Sequence, residues 1–169
     1  MNKYYSLWIV PSKKSFITFS NIIKELSKKY DAPIFTPHLT LIGDVQIDFD
    51  EIVQKTEMLA QLIKPFYINF SKVEFMDEYF RCVFSPANHN TELMNVNRLI
   101  KQIINDDGSI FLPHISLLYG KYANEVKQKI VDELKINETF LFDKIALTNS
   151  NQFVPESEWK ILKEINLGK

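Results

Sequence analysis

Several things are scarce in this sequence, and each scarcity closes off a class of protein. Cys82 is the single cysteine among 169 residues, which excludes an internal disulfide framework and a cysteine-rich zinc module. Its expected role is packing, in a reducing compartment, and the cytoplasm is the expected location. Neither sign of charge is in excess: 20 Lys plus Arg stand against 21 Asp plus Glu, for a net charge of −1. No broad field is therefore available to hold a long polyanion by counterion release, and a small nucleotide or a short RNA end fits better than duplex DNA. No apolar run approaches the roughly 20 residues that a membrane span needs. The N-terminus has one early lysine and a short apolar run, Tyr4 to Val10, without a small-residue cleavage site, so it does not read as a signal peptide. No stretch rich in Gly, Ser or Pro separates one part of the chain from another. What is abundant is core-forming material, 46% hydrophobic and 13% aromatic, enough for one domain built as two small lobes over a shared core. A monomer is expected.

Periodicity gives an alternating series of elements. Tyr4 to Val10, stopped by Pro11, reads as a strand buried on both faces. Phe16 to Tyr30 places Phe16, Phe19, Ile22, Ile23 and Leu26 at helical spacing. A strand from His38 to Gly43 follows, then a helix from about Glu51 to Lys64 capped by Asp48 or Asp50. Tyr67 to Met76 and Tyr79 to Phe84 read as a hairpin about Asp77-Glu78. Thr91 to Ile104 is a helix, His114 to Gly120 a strand, Asn124 to Leu134 a helix, and Phe140 to Thr148 and Trp159 to Ile165 are two closing strands. The class is α+β.

The most informative feature is a repeat. Pro37-His38-Leu39-Thr40-Leu41-Ile42-Gly43 returns as Pro113-His114-Ile115-Ser116-Leu117-Leu118-Tyr119-Gly120, with conservative exchanges and one inserted tyrosine. Side chains alternate along a strand, so His38 and Thr40 share one face and Leu39 and Leu41 the other. The same holds for His114 and Ser116 against Ile115 and Leu117. A lone histidine in an apolar strand is by default a structural residue, and the duplication in register is what reverses that default. If the two halves pack as a pseudo-symmetric pair, their polar faces line one cleft.

Such a cleft suits phosphodiester hydrolysis without a metal. An imidazole, with a reference pKa of about 6.5, serves as either base or acid near neutrality, and the hydroxyls of Thr40 and Ser116 can donate to the non-bridging oxygens as charge builds on them. Which histidine is base and which is acid stays open. No cofactor is required. Two histidines alone make a poor zinc site, and no carboxylates accompany them at ligand spacing. Binding of a phosphate without hydrolysis is a separate possibility, because a fold does not fix a function.

The twin PHLTLIG and PHISLLYG segments resemble the paired H-x-[ST] motifs of the two-histidine (2H) phosphoesterase superfamily. The likeness to its small cyclic phosphodiesterases extends through YYSLWIVP, YFRCVF, KIALTNS and SEWKILKEINLG. The resemblance implies a bilobal fold, two pseudo-symmetric lobes whose antiparallel sheets line a central cleft with helices outside. It implies metal-independent hydrolysis of nucleoside 2′,3′-cyclic phosphates or of ADP-ribose 1″,2″-cyclic phosphate, with His38, Thr40, His114 and Ser116 as the catalytic positions. Trp8 and Tyr119 match pocket-lining positions, although large aromatics in strands pack cores by default. The rival substrate within this class is a cyclic-ended RNA. Two stretches depart from the resemblance, the short and acidic loop after Gly43 and KIALTNSN, which lacks the charged residues often found there in relatives, and both bear on which leaving group is accepted. His89 reads as a solvated loop residue, Lys13, Lys14, Lys28, Lys29 and Lys121 as solvated cations, and Arg81 as a surface ion-pair partner placed where a second phosphate could be met.

Overall fold

A computed structural model describes residues 3–168 apart from 107 and 109. Eight strands and four helices alternate through the described residues: β1 (Tyr4–Pro11), α1 (Lys13–Tyr30), β2 (Leu39–Gln46), α2 (Phe49–Leu62), β3 (Phe66–Phe70), β4 (Glu74–Phe75), β5 (Val83–Pro86), α3 (Thr91–Ile104), β6 (His114–Leu118), α4 (Asn124–Glu133), β7 (Glu138–Thr148) and β8 (Ile161–Asn166). All pairings are antiparallel. The first sheet runs β2-β1-β7-β3, with β8 added to the far edge of β7 beside β3, and the second runs β4-β5-β6. The α+β class with two antiparallel sheets is therefore as expected, with five strands on one side and three on the other.

The same residues explain why each element forms. β1 is buried along nearly its whole length because Leu7 and Ile9 enter the main core while Trp8 and Val10 pack on the opposite face with Ala146. α2 begins where Asp48 accepts hydrogen bonds from the N–H groups of Asp50 and Glu51. α3 begins at Asn90, whose side chain accepts from the Leu93 N–H, and ends at Asn105 in the left-handed region; these caps satisfy backbone groups that a helix end leaves without partners. One hydrophobic cluster runs beneath both sheets and includes Leu39 and Leu41 from β2 and Ile115 and Leu117 from β6. The aliphatic halves of the two repeats thus anchor in the same core, at about 1.5–3 kcal/mol for each fully buried side chain.

Five expectations are corrected. The hairpin about Asp77-Glu78 does not form from its expected arms: β3 joins the first sheet beside β7, and only Glu74–Phe75 turns back to pair with β5. The break falls at Ser71-Lys72, and Tyr79–Arg81 is a 3₁₀ turn rather than strand. β2 does not stop at Gly43 but continues to Gln46, because two bulges absorb its irregular stretch. Its pairing with β1 jumps from Val45 to Ile42 and again from Ile42 to Thr40, leaving Gly43 and Asp44 opposite Ser6 and leaving Leu41 unpaired. Asp44 takes φ = 56° there, and the buried Asn97 side chain donates to the Leu41 carbonyl at 3.0 Å, so the polar group freed by the bulge is satisfied. Finally, β6 ends at Leu118, before Tyr119 and Gly120, and β8 begins at Ile161, two residues after Trp159. α1 starts three residues ahead of its apolar pattern, where the Ser12 carbonyl accepts from the Phe16 N–H at 2.7 Å.

Candidate active site

His38 stands at the residue before β2, and His114 opens β6. β2 and β6 lie against one another where the two sheets meet. The six residues singled out by the repeat and its resemblance all come to one cavity of about 500 Å³: Trp8, His38, Thr40, His114, Ser116 and Tyr119.

The two imidazoles are held in the same way. His38 Nδ1 bonds the Thr36 carbonyl at 2.7 Å, and His114 Nδ1 bonds the Leu112 carbonyl at 2.7 Å, two residues back in each case. A carbonyl can only accept, so each Nδ1 carries the proton and each neutral ring keeps a lone pair on Nε2. Nε2 has no protein partner in either ring among the described residues. The repeat therefore specifies a tautomer as well as a position.

Their surroundings differ. His38 is 8% exposed and lies flat against the Trp8 indole, with ring centroids 3.6 Å apart and planes at 10°. Burial pushes its pKa down to about 4; the bond to Thr36 opposes the shift, and the charge of His114 adds to it. His114 is less enclosed and meets Phe84 edge-on at 5.3 Å. Its pKa is also lowered, by burial first and by the Arg81 guanidinium second, while the Leu112 carbonyl and Glu78 act in the opposite sense.

The hydroxyls are not equivalent either. Thr40 lines the cavity with no protein partner for its Oγ1 among the described residues. Ser116 Oγ donates to the Phe80 carbonyl at 2.7 Å, so its proton is committed within the protein. Trp8 and Tyr119 each spend a ring face internally, Trp8 on His38 and Tyr119 on Phe35, the latter at 3.7 Å and 13°. Burial pushes the Tyr119 phenol well above its ordinary range.

Several lining residues carried no signal in the repeat. Trp159 and Phe80 complete an aromatic wall, with centroids 5.1 Å apart. Ser6, Asp44, Ser150, Asn151 and Gln152 form a polar end, where Ser6 Oγ donates to the Ser150 carbonyl at 2.7 Å and Asp44 accepts from Gln152. Ser6 was within reach of the alternation argument, since it shares a strand face with Trp8. Arg81 and Glu78 enter beside His114 from the 3₁₀ turn. His89 is exposed and lies outside the cavity. Cys82 is buried, and burial raises its thiol pKa. Among the described residues, no cluster of three or more His, Cys, Asp or Glu is arranged to hold a metal ion, and no helix is long and apolar enough to cross a membrane.

Comparison with known proteins bears on the same site. Residues 4–167 match the family described as cyclic phosphodiesterase-like protein. The cyclic phosphodiesterase of Arabidopsis thaliana is 26% identical over 125 residues, covering 73% of this chain and 69% of that one. The crystal structure of E. coli LigT complexed with 3′-AMP superimposes over 100% of both chains with a TM-score of 0.64 at 14% identity. The structure of TT0787 of Thermus thermophilus superimposes over 98% of both with a TM-score of 0.62, also at 14% identity. At those identities the two structures establish a common fold.

Proposed function

This chain belongs to the cyclic phosphodiesterase-like family of 2H phosphoesterases, and from that premise we propose that it hydrolyses a cyclic phosphodiester, a nucleoside 2′,3′-cyclic phosphate or ADP-ribose 1″,2″-cyclic phosphate, by paired-histidine acid-base catalysis. The observation that carries the reading is that two imidazoles, each fixed through Nδ1 to a carbonyl two residues back, leave their Nε2 atoms free at one cavity.

The difference between the rings supports a division of roles. His38, the more enclosed ring, is held neutral by burial first, with the charge of His114 adding to the effect, whereas His114 is the more open of the two. His38 is thus the base and His114 the acid. His38 Nε2 removes a proton from water as the water oxygen attacks phosphorus; the ring phosphorus–oxygen bond breaks; and the leaving ribose oxygen takes the proton from His114 Nε2. The product is a phosphomonoester, with the proton now on His38 and passed to solvent. Thr40 donates to a non-bridging oxygen, and Ser116 can do so on exchanging its bond to the Phe80 carbonyl. Trp8 keeps the base upright and dry, and Tyr119 with Trp159 and Phe80 supplies an apolar wall. That E. coli LigT is seen with 3′-AMP supports a nucleotide as the occupant of such a cleft.

The test is to incubate the purified chain in EDTA with 2′,3′-cyclic nucleotides, ADP-ribose cyclic phosphate and cyclic-ended oligoribonucleotides, and to follow the products by phosphorus NMR. Conversion of the small cyclic nucleotides to monoesters is expected. Faster turnover of the oligonucleotides would move the substrate to RNA ends, and binding without product would make the chain a phosphate-binding module.

A further inference from the structure

We infer that Arg81 contacts the reacting phosphate on the His114 side of the cavity and supplies cationic hydrogen-bond donors beside Ser116, whose own proton must first leave the Phe80 carbonyl; this rests on the cyclic phosphodiester reading above. The first ground is charge. Among the described residues lining the cavity the permanently charged side chains are Asp44, Glu78 and Arg81, so Arg81 is the one fixed cation in a site whose substrate is an anion. Asp44 is occupied by the backbone and side-chain N–H groups of Gln152, so it does not compete for Arg81.

The second ground is geometry. Arg81 Nε and Nη2 both bond a single oxygen of Glu78, Oε2, at 2.8 and 2.6 Å. Guanidinium carries five N–H donors in a rigid plane, and this arrangement uses two of them, leaving Nη1 and the second Nη2 hydrogen for a ligand. The Arg81 side chain is 25% exposed, held by Glu78 yet open to the cavity. Arg81 and His114 line the same cavity, and the Arg81 charge acts on that ring.

The third ground is what stands beside it. Phe80, the residue preceding Arg81, presents the carbonyl that accepts the Ser116 hydrogen bond, so the 3₁₀ turn at 79–81 occupies one donor of the site and delivers another to the same cavity. Thr40 on the opposite side keeps its hydroxyl free, so the two lobes serve the phosphate unequally: a neutral hydroxyl beside the base, a guanidinium beside the acid. A charge-assisted donor from arginine is about twice as strong as a neutral one, and it lies where leaving-group departure moves negative charge.

The test compares the wild type with Arg81→Gln and Arg81→Lys in two assays. Inorganic phosphate binding is followed by the His114 ring-proton shifts, and kcat/KM is measured on a nucleoside 2′,3′-cyclic phosphate with and without an added 5′-phosphate. A melting curve confirms that each variant is folded. The inference predicts that Arg81→Gln weakens phosphate binding at least about tenfold and lowers kcat/KM about 10²-fold on both substrates alike, with Arg81→Lys recovering part of each. Phosphate binding and kcat/KM within about twofold of wild type in Arg81→Gln would overturn it, as would no phosphate binding by the wild type, or a loss confined to the substrate bearing the 5′-phosphate. If the wild type binds phosphate yet opens no cyclic nucleotide, the hydrolytic reading fails and the binding comparison still decides the role of Arg81.

Discussion

His38 is the residue on which stability and chemistry meet. Its ring titrates near 4 in the folded chain and near 6.5 when unfolded, so between those values the unfolded chain binds the extra proton. The stability it contributes is present in full above pH 6.5 and is lost as pH falls toward 4, on the order of 3 kcal/mol across the window. Urea unfolding at pH 7.5 and pH 5 is expected to show His38→Gln with a pH dependence shallower than wild type by about 2 kcal/mol; identical dependences would contradict the buried neutral ring. Trp8 maintains that state by covering one face of the imidazole. Trp8→Ala admits water there, and the His38 titration followed by NMR is expected to move up toward 6.5, while an unmoved midpoint would show that the stack does not desolvate the ring. His38 and His114 were legible in the sequence because a duplicated Pro-His-x-hydroxyl pattern has no simple packing explanation. The stacking of Trp8 on His38 was not, since nothing in a sequence says which face of a buried aromatic meets which neighbour. Arg81 was legible only in part: the sequence reads it as a surface ion-pair partner placed where a phosphate could be met, and the pair with Glu78 does exist, but at the cavity.

At the scale of the element, the strands were more legible than their ends. Short unbroken apolar runs identify β1 and β6, which are buried along nearly their whole length, and periodicity identifies α1 and α3 because each buries a regular face. It cannot place β2 correctly past Gly43, because two bulges break the alternation that the reading depends on. It also joins Tyr67 to Met76 as one strand, whereas Phe66–Phe70 and Glu74–Phe75 belong to different sheets; membership of a sheet is set by long-range pairing, which local pattern does not encode. The glycine closing the second repeat is a defined requirement of its element. Gly120 has φ = 143°, a Cβ there would lie 2.5 Å from Tyr122 Cε2, and its N–H donates to the Tyr79 carbonyl at 3.0 Å. Gly120→Ala is expected to cost about 1–3 kcal/mol in denaturant unfolding, with Tyr119 displaced from Phe35. An unchanged midpoint would show that the turn adapts without strain.

For the whole molecule, the repeat is a statement about two sheets over one core. Leu39, Leu41, Ile115 and Leu117 bury into a common cluster, and by strand alternation this turns His38, Thr40, His114 and Ser116 toward the space between. The halves are similar in motif and unequal in surroundings: five strands against three, an enclosed histidine against a more open one, a free threonine against a committed serine. In the proposed mechanism that inequality is what would divide one symmetric pair into a base and an acid, and the near-zero net charge leaves recognition to the cavity rather than to the surface. The central claim is that the two rings act on one phosphate as a unit, and a double-mutant cycle in kcat/KM tests it most directly. His38→Gln and His114→Gln are each expected to lose about 10²- to 10⁴-fold, with the double variant falling well short of the product of the two losses; wild-type rates in either single variant, or losses that multiply in full, would contradict it.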